Sequence, residues 1–274
     1  MSELTMQELL AALVERRTAE EALCRGVGVD LQQALAAAKC CGVQLLKLSQ
    51  TFPDDWWLRL EREARRRHQR FEAAWRHAVA STFREILSAG DGPVSAFDQG
   101  LDFVRDQVPP GLLQRCDEWT PETGGLLLHG GSEVGKTMAL LALAWRQHDL
   151  ANHEVPPYTP YLDREPRCPV LWVQAVKLAK ARDTWSFGTD RPELEVACER
   201  ADLLVIDDLL FAKHGVAVIL EVVAVRMNHG RPTLTSSGFG EAELVERLGD
   251  AGFRRLTHCG GAPGQSLEVR RPRR

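Results

Sequence analysis

The chain has 274 residues, of which 44% are hydrophobic, and its formal net charge is -4 at pH 7. This length predicts one large domain or two ordinary ones, and the hydrophobic content is ample for a packed core. No pair of the seven cysteines has C-x-x-C spacing, so the sequence indicates neither a zinc site nor a disulfide framework. The N-terminus lacks the basic-then-apolar pattern of a signal peptide, and the most apolar segment, 216–225, is too short to span a bilayer. We therefore expect a cytoplasmic protein without a membrane partner.

Residues 1–90 are predicted to be helical throughout. Two helices are expected before residue 42, and a long third helix is expected from about residue 54 to about residue 90. Apolar side chains recur every four residues along the third helix, at Phe71, Trp75, Val79 and Phe83, which is typical of a core-facing stripe. The arginines at 65–67 lie off this stripe, and they fit a solvated face and a surface for nucleic acid or an acidic partner equally well.

Residues 91–118 are predicted to be a linker that opens with Asp91-Gly92-Pro93, and residues 119–274 are predicted to form a second domain with a basic tail. Short apolar runs in this domain indicate buried strands at 125–129, 170–173, 203–206 and 233–235, with a further candidate at 267–269. Helical patterns separate these runs. The alternation predicts an α/β fold, a parallel sheet covered by helices on both faces.

The most informative motif is a phosphate-binding loop with the pattern G-x-x-x-x-G-K-[ST]. It comprises Gly130, Gly131, Ser132, Glu133, Val134, Gly135, Lys136 and Thr137, and Met138 follows at the start of the next predicted helix. Glycines let the backbone curl so that successive N–H groups point at phosphate oxygens, the lysine charge reaches the β- and γ-phosphates, and the threonine hydroxyl binds Mg²⁺. Since a strand precedes this loop and a helix follows it, the motif predicts binding of a nucleoside triphosphate.

A second motif places two carboxylates, Asp207 and Asp208, directly after the apolar run 203–206. Ligands bind at the carboxyl ends of parallel strands, so both acids are expected near the phosphates. We expect Asp207 to hold Mg²⁺ beside Thr137, and Asp208 to act as the general base that polarises the attacking water.

Two further segments offer candidate catalytic residues. The run 231–237 ends in hydroxyls, and Ser237 is expected either to sense the γ-phosphate or to be an ordinary turn-forming serine. Arg254 and Arg255 are expected either to be solvated or to reach into the nucleotide site of a neighbouring subunit, where a positive charge stabilises the transition state.

Together, the phosphate loop, the 203–208 segment, the 231–237 strand and the Arg254-Arg255-Leu256 box resemble those of the AAA+ ATPases. Within that superfamily the chain is most similar to the DnaC-type replicative helicase loaders and the IstB-type transposition ATPases. The resemblance covers about residues 120 to 260. It implies ATP and Mg²⁺ as cofactors, Lys136 and Thr137 as phosphate and magnesium residues, Asp207 as the Walker B aspartate, and Arg255 as the arginine finger with Arg254 as a substitute.

The resemblance also implies the partners. In loaders the region corresponding to residues 1–90 usually carries a helicase-binding domain, so we expect a replicative helicase or another ring-shaped protein to bind there. We further expect self-association through Arg255, and binding to DNA with single strands favoured. An IstB-type helper would instead bind double-stranded DNA and recruit a transposase, and the same core motifs serve both functions.

Two departures from the family pattern predict slow hydrolysis. Asp208 stands where many members have a catalytic glutamate, although an Asp-Asp pair is familiar in this branch. Ser237 stands where an asparagine usually offers its amide to the γ-phosphate. Loss of such a positioned donor costs on the order of 10²-fold in rate in other enzymes. An ATP-gated adaptor without turnover therefore remains an alternative, as does a small-molecule kinase, although the placement of Arg254 and Arg255 favours an oligomeric ATPase.

Overall fold

The computed structural model describes residues 56–131, 134–153, 165–186, 188–209, 215–257 and 265–269. The two helices expected before residue 42 and the basic tail at 270–274 lie outside these ranges. The chain divides into two compact units, of which the larger comprises Val79–His153 and Arg167–Arg274. The described helix of the smaller unit carries an exposed Arg76–Glu72 ion pair of 2.9 Å, one helical turn apart.

Helices and strands alternate through most of the larger unit. The helices are α1 (Trp56–Ala89, which belongs to this unit from Val79 onward), α2 (Val94–Asp98), α3 (Leu101–Asp106), α4 (Pro110–Glu118), α5 (Lys136–Ala151), α6 (Ala175–Asp183), α7 (Glu193–Arg200), α8 (Gly215–Asn228) and α9 (Glu241–Thr257). The strands are β1 (Leu126–His129), β2 (Val170–Gln174), β3 (Leu203–Asp207), β4 (Thr233–Ser237) and β5 (Gln265–Glu268). A short 3₁₀ turn, Pro121–Thr123, precedes β1.

The described strands form one sheet in the order β2-β3-β4-β1-β5, and every neighbouring pair is parallel. Alternate residues of a strand point to opposite faces, so the continuous apolar runs supply two separate cores. In β3, Val205 packs with residues of α1 to α5, whereas Leu204 and Ile206 pack with residues of α6 to α9. The larger unit is therefore an α/β/α sandwich, as the sequence predicts.

The structure differs from the linker expected over residues 91–118. Gly100 and Pro109 interrupt this stretch, so it contains the three short helices α2, α3 and α4 rather than one periodic helix. Each of these helices buries apolar residues in the core that includes Phe83 and, from β1, Leu126 and Leu128. The buried residues are Ala96, Val104, Leu112 and Cys116. Residues 91–118 are thus part of the body that supports the sheet.

The end of α1 is tied to the end of β2. Gln174 donates its backbone N–H to the carbonyl of Gly90 at 3.1 Å, and Lys177 Nζ donates to the carbonyl of Ala89 at 2.6 Å. Lys177 also pairs with Asp91 at 3.1 Å. In the described part of the chain, no helix combines the length and hydrophobicity that crossing a membrane requires.

Candidate functional site

The phosphate loop follows β1 and turns sharply into α5. Gly130 has φ 123° and Gly135 has φ 84°, a backbone region that favours glycine. A Cβ atom on Gly130 would lie 2.5 Å from the carbonyl oxygen of Val269, and one on Gly135 would lie 2.5 Å from that of Gln107. Both glycines are therefore required by backbone conformation and by close packing.

The described members of the loop lie between the end of β1 and the start of α5. Val134 is buried and Met138 is half-buried at the start of α5, whose N-terminal N–H groups face the loop. Ser132 and Glu133 lie outside the described residues.

Lys136 reaches back across the loop. Its Nζ donates hydrogen bonds to the carbonyl oxygens of Gly130, at 2.9 Å, and Gly131. Burial lowers the pKa of Lys136, while the nearby Asp207 and Asp208 act in the opposite direction. The lysine charge is thus held over the cradle, where phosphate oxygens can replace the two carbonyl acceptors.

Thr137 and Asp207 meet at the C-terminal edge of the sheet. Thr137 Oγ1 donates a hydrogen bond of 3.1 Å to Asp207 Oδ1, joining residues 70 positions apart. Asp207 is only 5% exposed. This burial raises the pKa of the Asp207 carboxyl, and hydrogen bonds from Ser236 and Thr137 act against that rise.

The donor set of this pair fits Mg²⁺. Hydroxyl and carboxylate oxygens are hard ligands, and Mg²⁺ in nucleotide sites is usually held by one or two protein oxygens together with phosphates and water. Among the described residues, no group of three or more His, Cys, Asp and Glu side chains could hold a metal ion by itself. Thr137 and Asp207 therefore fit a metal whose coordination is completed by a triphosphate.

Asp208 lies exposed just beyond β3 in an uncommon backbone conformation. Its φ is 55°, and its backbone N–H donates to Ser236 Oγ at 2.9 Å. The next amide, that of Leu209, donates to the Ser236 carbonyl at 2.8 Å. The end of β4 thus fixes the turn that presents the Asp208 carboxylate.

Ser237 is buried at the end of β4, in register with His129 of β1. Its Oγ accepts a hydrogen bond of 3.2 Å from the backbone N–H of Phe239, whose carbonyl in turn accepts from Gly130 N–H at 3.2 Å. Ser237 therefore lies next to the phosphate loop. The hydroxyl that contacts the acidic pair is that of Ser236.

Arg254 and Arg255 lie on the last turns of α9 and are both exposed. The helix is interrupted at Gly249, where φ is 67° and ψ is 162°, so the segment carrying the arginines has its own direction. Arg254 Nε donates to the Asp250 carbonyl at 3.3 Å. Both arginines thus lie on the exposed face of this last segment of α9.

His129 is a buried residue of the site that the sequence did not single out as functional. It is 1% exposed, and its Nε2 lies 3.9 Å from Glu241 Oε2 at the start of α9. Burial lowers the pKa of His129, while Glu241 and Glu268 act against this effect. A histidine directly before the glycine loop gives no recognisable pattern, so only the structure reveals it.

No protein-family model matches this chain, and no curated protein matches it. Solved structures do show similarity. One is the crystal structure of DnaI, whose sequence is 18% identical to this chain. The match covers 58% of this chain and 81% of the DnaI chain, with a TM-score of 0.42. Another is the crystal structure of the DnaC helicase loader, whose sequence is 18% identical to this chain. The match covers 58% of this chain and 86% of the loader chain, with a TM-score of 0.41.

A third similar structure is a candidate primosome component from Streptococcus pyogenes serotype M3. It is 17% identical and covers 60% of this chain and 78% of its own, with a TM-score of 0.39. Identities and TM-scores this low assign no activity, so function has to be inferred from the residues of the site.

Proposed function

We propose that this chain binds ATP with Mg²⁺ at the ends of β1, β3 and β4 and hydrolyses it slowly. The observation that carries the proposal is the 3.1 Å hydrogen bond between Thr137 Oγ1 and Asp207 Oδ1. It brings the phosphate-loop hydroxyl and the carboxylate at the end of β3 together at the edge of a parallel sheet. Nucleotides bind at this edge in such folds.

Each residue of the site has a defined role in this proposal. The loop amides and Lys136 bind the phosphates, and Thr137 and Asp207 hold the metal. Mg²⁺, when bound, supplies charge neutralisation at the β- and γ-phosphates. Asp208 accepts the proton of the attacking water, and its exposed carboxylate at the edge of the sheet is accessible to that water. Ser237 lies beside the loop, and its hydroxyl would donate a hydrogen bond to the γ-phosphate.

The arginines complete the site from outside. Arg255, with Arg254 as its substitute, reaches the nucleotide of an adjacent copy and stabilises the charge that develops during transfer. Their exposure on the last turns of α9 supports this role. Hydrolysis is then coupled to assembly, because a single copy lacks the arginine that its own site needs.

In the cell we propose a DnaC-like loader of a replicative helicase. The order of the four motifs, from the phosphate loop to the Arg254-Arg255-Leu256 box, supports this function. Residues 1–90 would bind the ring-shaped helicase, ATP binding would order a surface for single-stranded DNA, and hydrolysis would release the partner. The boundaries of this N-terminal domain stay a prediction.

The test measures ATP turnover and DNA binding by the purified full chain, with single-stranded and double-stranded DNA. Lys136→Ala removes the phosphate-binding charge, and Lys180→Ala removes an exposed lysine of α6 as a control for nucleotide binding. ATP-dependent binding to single strands that is lost in Lys136→Ala supports the loader. Preference for duplex DNA indicates the transposition helper, and the absence of DNA binding in both forms overturns both DNA functions and leaves the ATPase.

A further inference from the structure

Ser236 connects the two acids that follow β3. Its hydroxyl donates to Asp207 Oδ1 at 2.5 Å and accepts the Asp208 N–H at 2.9 Å. The side chain is only 2% exposed, so water does not compete for either bond. The Ser236 hydroxyl is thus a donor to Asp207 and an acceptor from Asp208, two consecutive residues of the candidate site.

The sheet register produces this contact. β3 and β4 pair in parallel, with Ile206 opposite Thr235, so the next residue of each strand, Asp207 and Ser236, stand side by side. Asp207 Oδ1 also accepts the Thr137 hydroxyl. Both hydroxyls approach the same carboxylate oxygen, which fixes the plane and direction of the carboxylate and leaves Oδ2 outside these two bonds.

Ser236 also fixes the backbone after Asp207. Asp208 adopts φ 55°, a left-handed conformation that non-glycine residues rarely adopt without local hydrogen bonds. Its amide is held by the Ser236 hydroxyl, and the Leu209 amide is held by the Ser236 carbonyl. A change at Ser236 therefore acts on Asp207 through its carboxylate and on Asp208 through its backbone.

We propose that Ser236 is a positioning residue that aligns Asp207 for Mg²⁺ and orients Asp208 toward the attacking water. This inference rests on the proposed nucleotide function. Ser236 acts through the two acids and needs no contact with the nucleotide. Partners that orient a metal ligand typically change metal affinity by about 10- to 100-fold when they are removed.

The first test compares Ser236→Ala with Ser236→Thr, which keeps the hydroxyl, and with Thr235→Val. Thr235 is equally buried on the same strand, and its hydroxyl contacts the Leu126 carbonyl at 3.5 Å instead of the acids. ATP affinity is measured by calorimetry with Mg²⁺ and with EDTA. The Mg²⁺ gain is the ratio of the ATP affinity with Mg²⁺ to the ATP affinity with EDTA. In Ser236→Ala we expect this ratio to fall by about 10-fold or more, while the ATP affinity measured with EDTA changes little.

The matched variants separate positioning from general destabilisation. Thr235→Val is expected to keep the full Mg²⁺ gain, and Ser236→Thr to recover at least part of it. In Ser236→Ala the kcat of ATP hydrolysis should fall, whereas the KM for ATP should change far less. An unaltered Mg²⁺ gain in Ser236→Ala, or an equal loss in Thr235→Val, would overturn the proposal.

A second test requires neither nucleotide nor activity. Hydrogen exchange of the Asp208 and Leu209 amides is followed in the same variants. The Asp208 amide is expected to exchange at least about 10-fold faster in Ser236→Ala, because its buried acceptor has gone, while Thr235→Val leaves its exchange unchanged. Equal exchange in Ser236→Ala and the unmodified chain would contradict the role of Ser236.

The two experiments also separate this inference from the proposed function. If the unmodified chain shows no Mg²⁺-dependent ATP binding, the proposed function fails whatever the exchange data show. If it does bind Mg²⁺ and ATP, but Ser236→Ala behaves like Thr235→Val in both experiments, only the inference about Ser236 fails.

Discussion

At the scale of single residues, the acid that follows Asp207 is the short aspartate Asp208. A left-handed backbone costs roughly 1–2 kcal/mol for most residues, and among residues other than glycine it is aspartate and asparagine that adopt it most readily. The φ of 55° at Asp208 therefore fits an aspartate better than a longer glutamate. The left-handed backbone at this position turns the chain so that a short carboxylate is presented just beyond β3.

This geometry predicts the result of Asp208→Asn. Asparagine keeps the shape and the backbone preference but cannot accept a proton, so we expect ATP binding and Tm to be preserved while turnover falls by about 10²-fold or more. Turnover and Tm of the purified variant measure both effects. Asp202→Asn changes an exposed acid just before β3 and serves as the control. A turnover in Asp208→Asn that equals the control value would remove the general-base role.

The two adjacent serines show how far a sequence identifies a site residue. The run 231–237 predicts hydroxyls at the end of a strand, and the structure places Ser236 and Ser237 there. Neighbouring residues of a strand point in opposite directions, so which serine faces Asp207 depends on the register of β4 against β3. That register is set by tertiary packing, so it could not be predicted from a single sequence.

At the scale of structural elements, the turn from the phosphate loop into α5 combines a strained backbone with close packing. Gly135 has φ 84°, and a Cβ there would lie 2.5 Å from the Gln107 carbonyl in the turn between α3 and α4. A Cβ on Gly131, in the same loop, would meet no atom within 4 Å beyond the neighbouring residues of the chain. The two glycines form a matched pair for substitution.

We predict that Gly135→Ala is strongly destabilising and Gly131→Ala is not. The left-handed backbone alone costs about 2 kcal/mol, which lowers Tm by roughly 5 °C in a domain of this size, and the contact with Gln107 adds to this loss. Thermal unfolding followed by circular dichroism compares the two variants. Equal Tm values for Gly135→Ala and Gly131→Ala would show that the turn tolerates a side chain.

A second element-scale prediction concerns His148, which packs α5 against the end of α1. The side chain is fully buried, its Nε2 lies 3.0 Å from the Val79 carbonyl, and its ring lies 5.2 Å from that of Phe83. Burial lowers the pKa of His148 below its ordinary 6.5, although the Val79 carbonyl and Asp149 act against this effect. The folded chain therefore binds a proton here less readily than the unfolded chain.

Stability is accordingly expected to fall as the pH drops below about 6.5, by at most about 1.4 kcal/mol per pH unit for this group. His148→Gln cannot be protonated and keeps an amide for the Val79 carbonyl, so its unfolding free energy should depend less steeply on pH between 7 and 5.5. Urea unfolding at several pH values measures the slope. His229→Gln, at an exposed histidine, should keep the original slope; equal slopes in both variants would contradict the prediction.

Elements with strong patterns could be predicted from the sequence, and weakly patterned ones could not. The apolar run of β3 reads as a buried strand because both faces of a parallel sheet are covered. The edge strand β5, with the sequence Gln-Ser-Leu-Glu, lies at 265–268 rather than 267–269, since an edge needs fewer apolar residues. The sequence predicts a linker where the structure has helices α2 to α4, because five to nine residues are too few to show a helical period.

At the scale of the whole molecule, the proposal predicts that one copy of the chain needs Arg255 of a neighbouring copy in order to hydrolyse its ATP. Lys136→Ala should fail to bind ATP but still offer Arg255, whereas Arg255→Ala should bind ATP but lose about 10³-fold in turnover. If Arg255 acts in trans, a mixture of the two variants should hydrolyse ATP well above either variant alone. Steady-state ATPase assays of the mixtures measure this recovery.

The control for this mixing experiment is the doubly substituted chain Lys136→Ala/Arg255→Ala. Mixed with Arg255→Ala it supplies no arginine, so no recovery is expected. Recovery in that mixture, or none in the original one, would mean that Arg255 does not complete a neighbouring site. Substituting Arg254 in the same design tests the second arginine.

The central claim is that Lys136, Thr137 and Asp207 form one site for Mg²⁺ and a nucleoside triphosphate. The most direct measurement is calorimetric titration of ATP into the full chain, with Mg²⁺ and with EDTA, beside Lys136→Ala and Lys180→Ala. We predict that Mg²⁺ strengthens ATP binding to the unmodified chain. Lys136→Ala should weaken this binding by about 10- to 100-fold, because a charge-assisted contact is removed, whereas Lys180→Ala should leave it unchanged. Equal ATP binding by Lys136→Ala and Lys180→Ala, or no binding by the unmodified chain, would contradict the account.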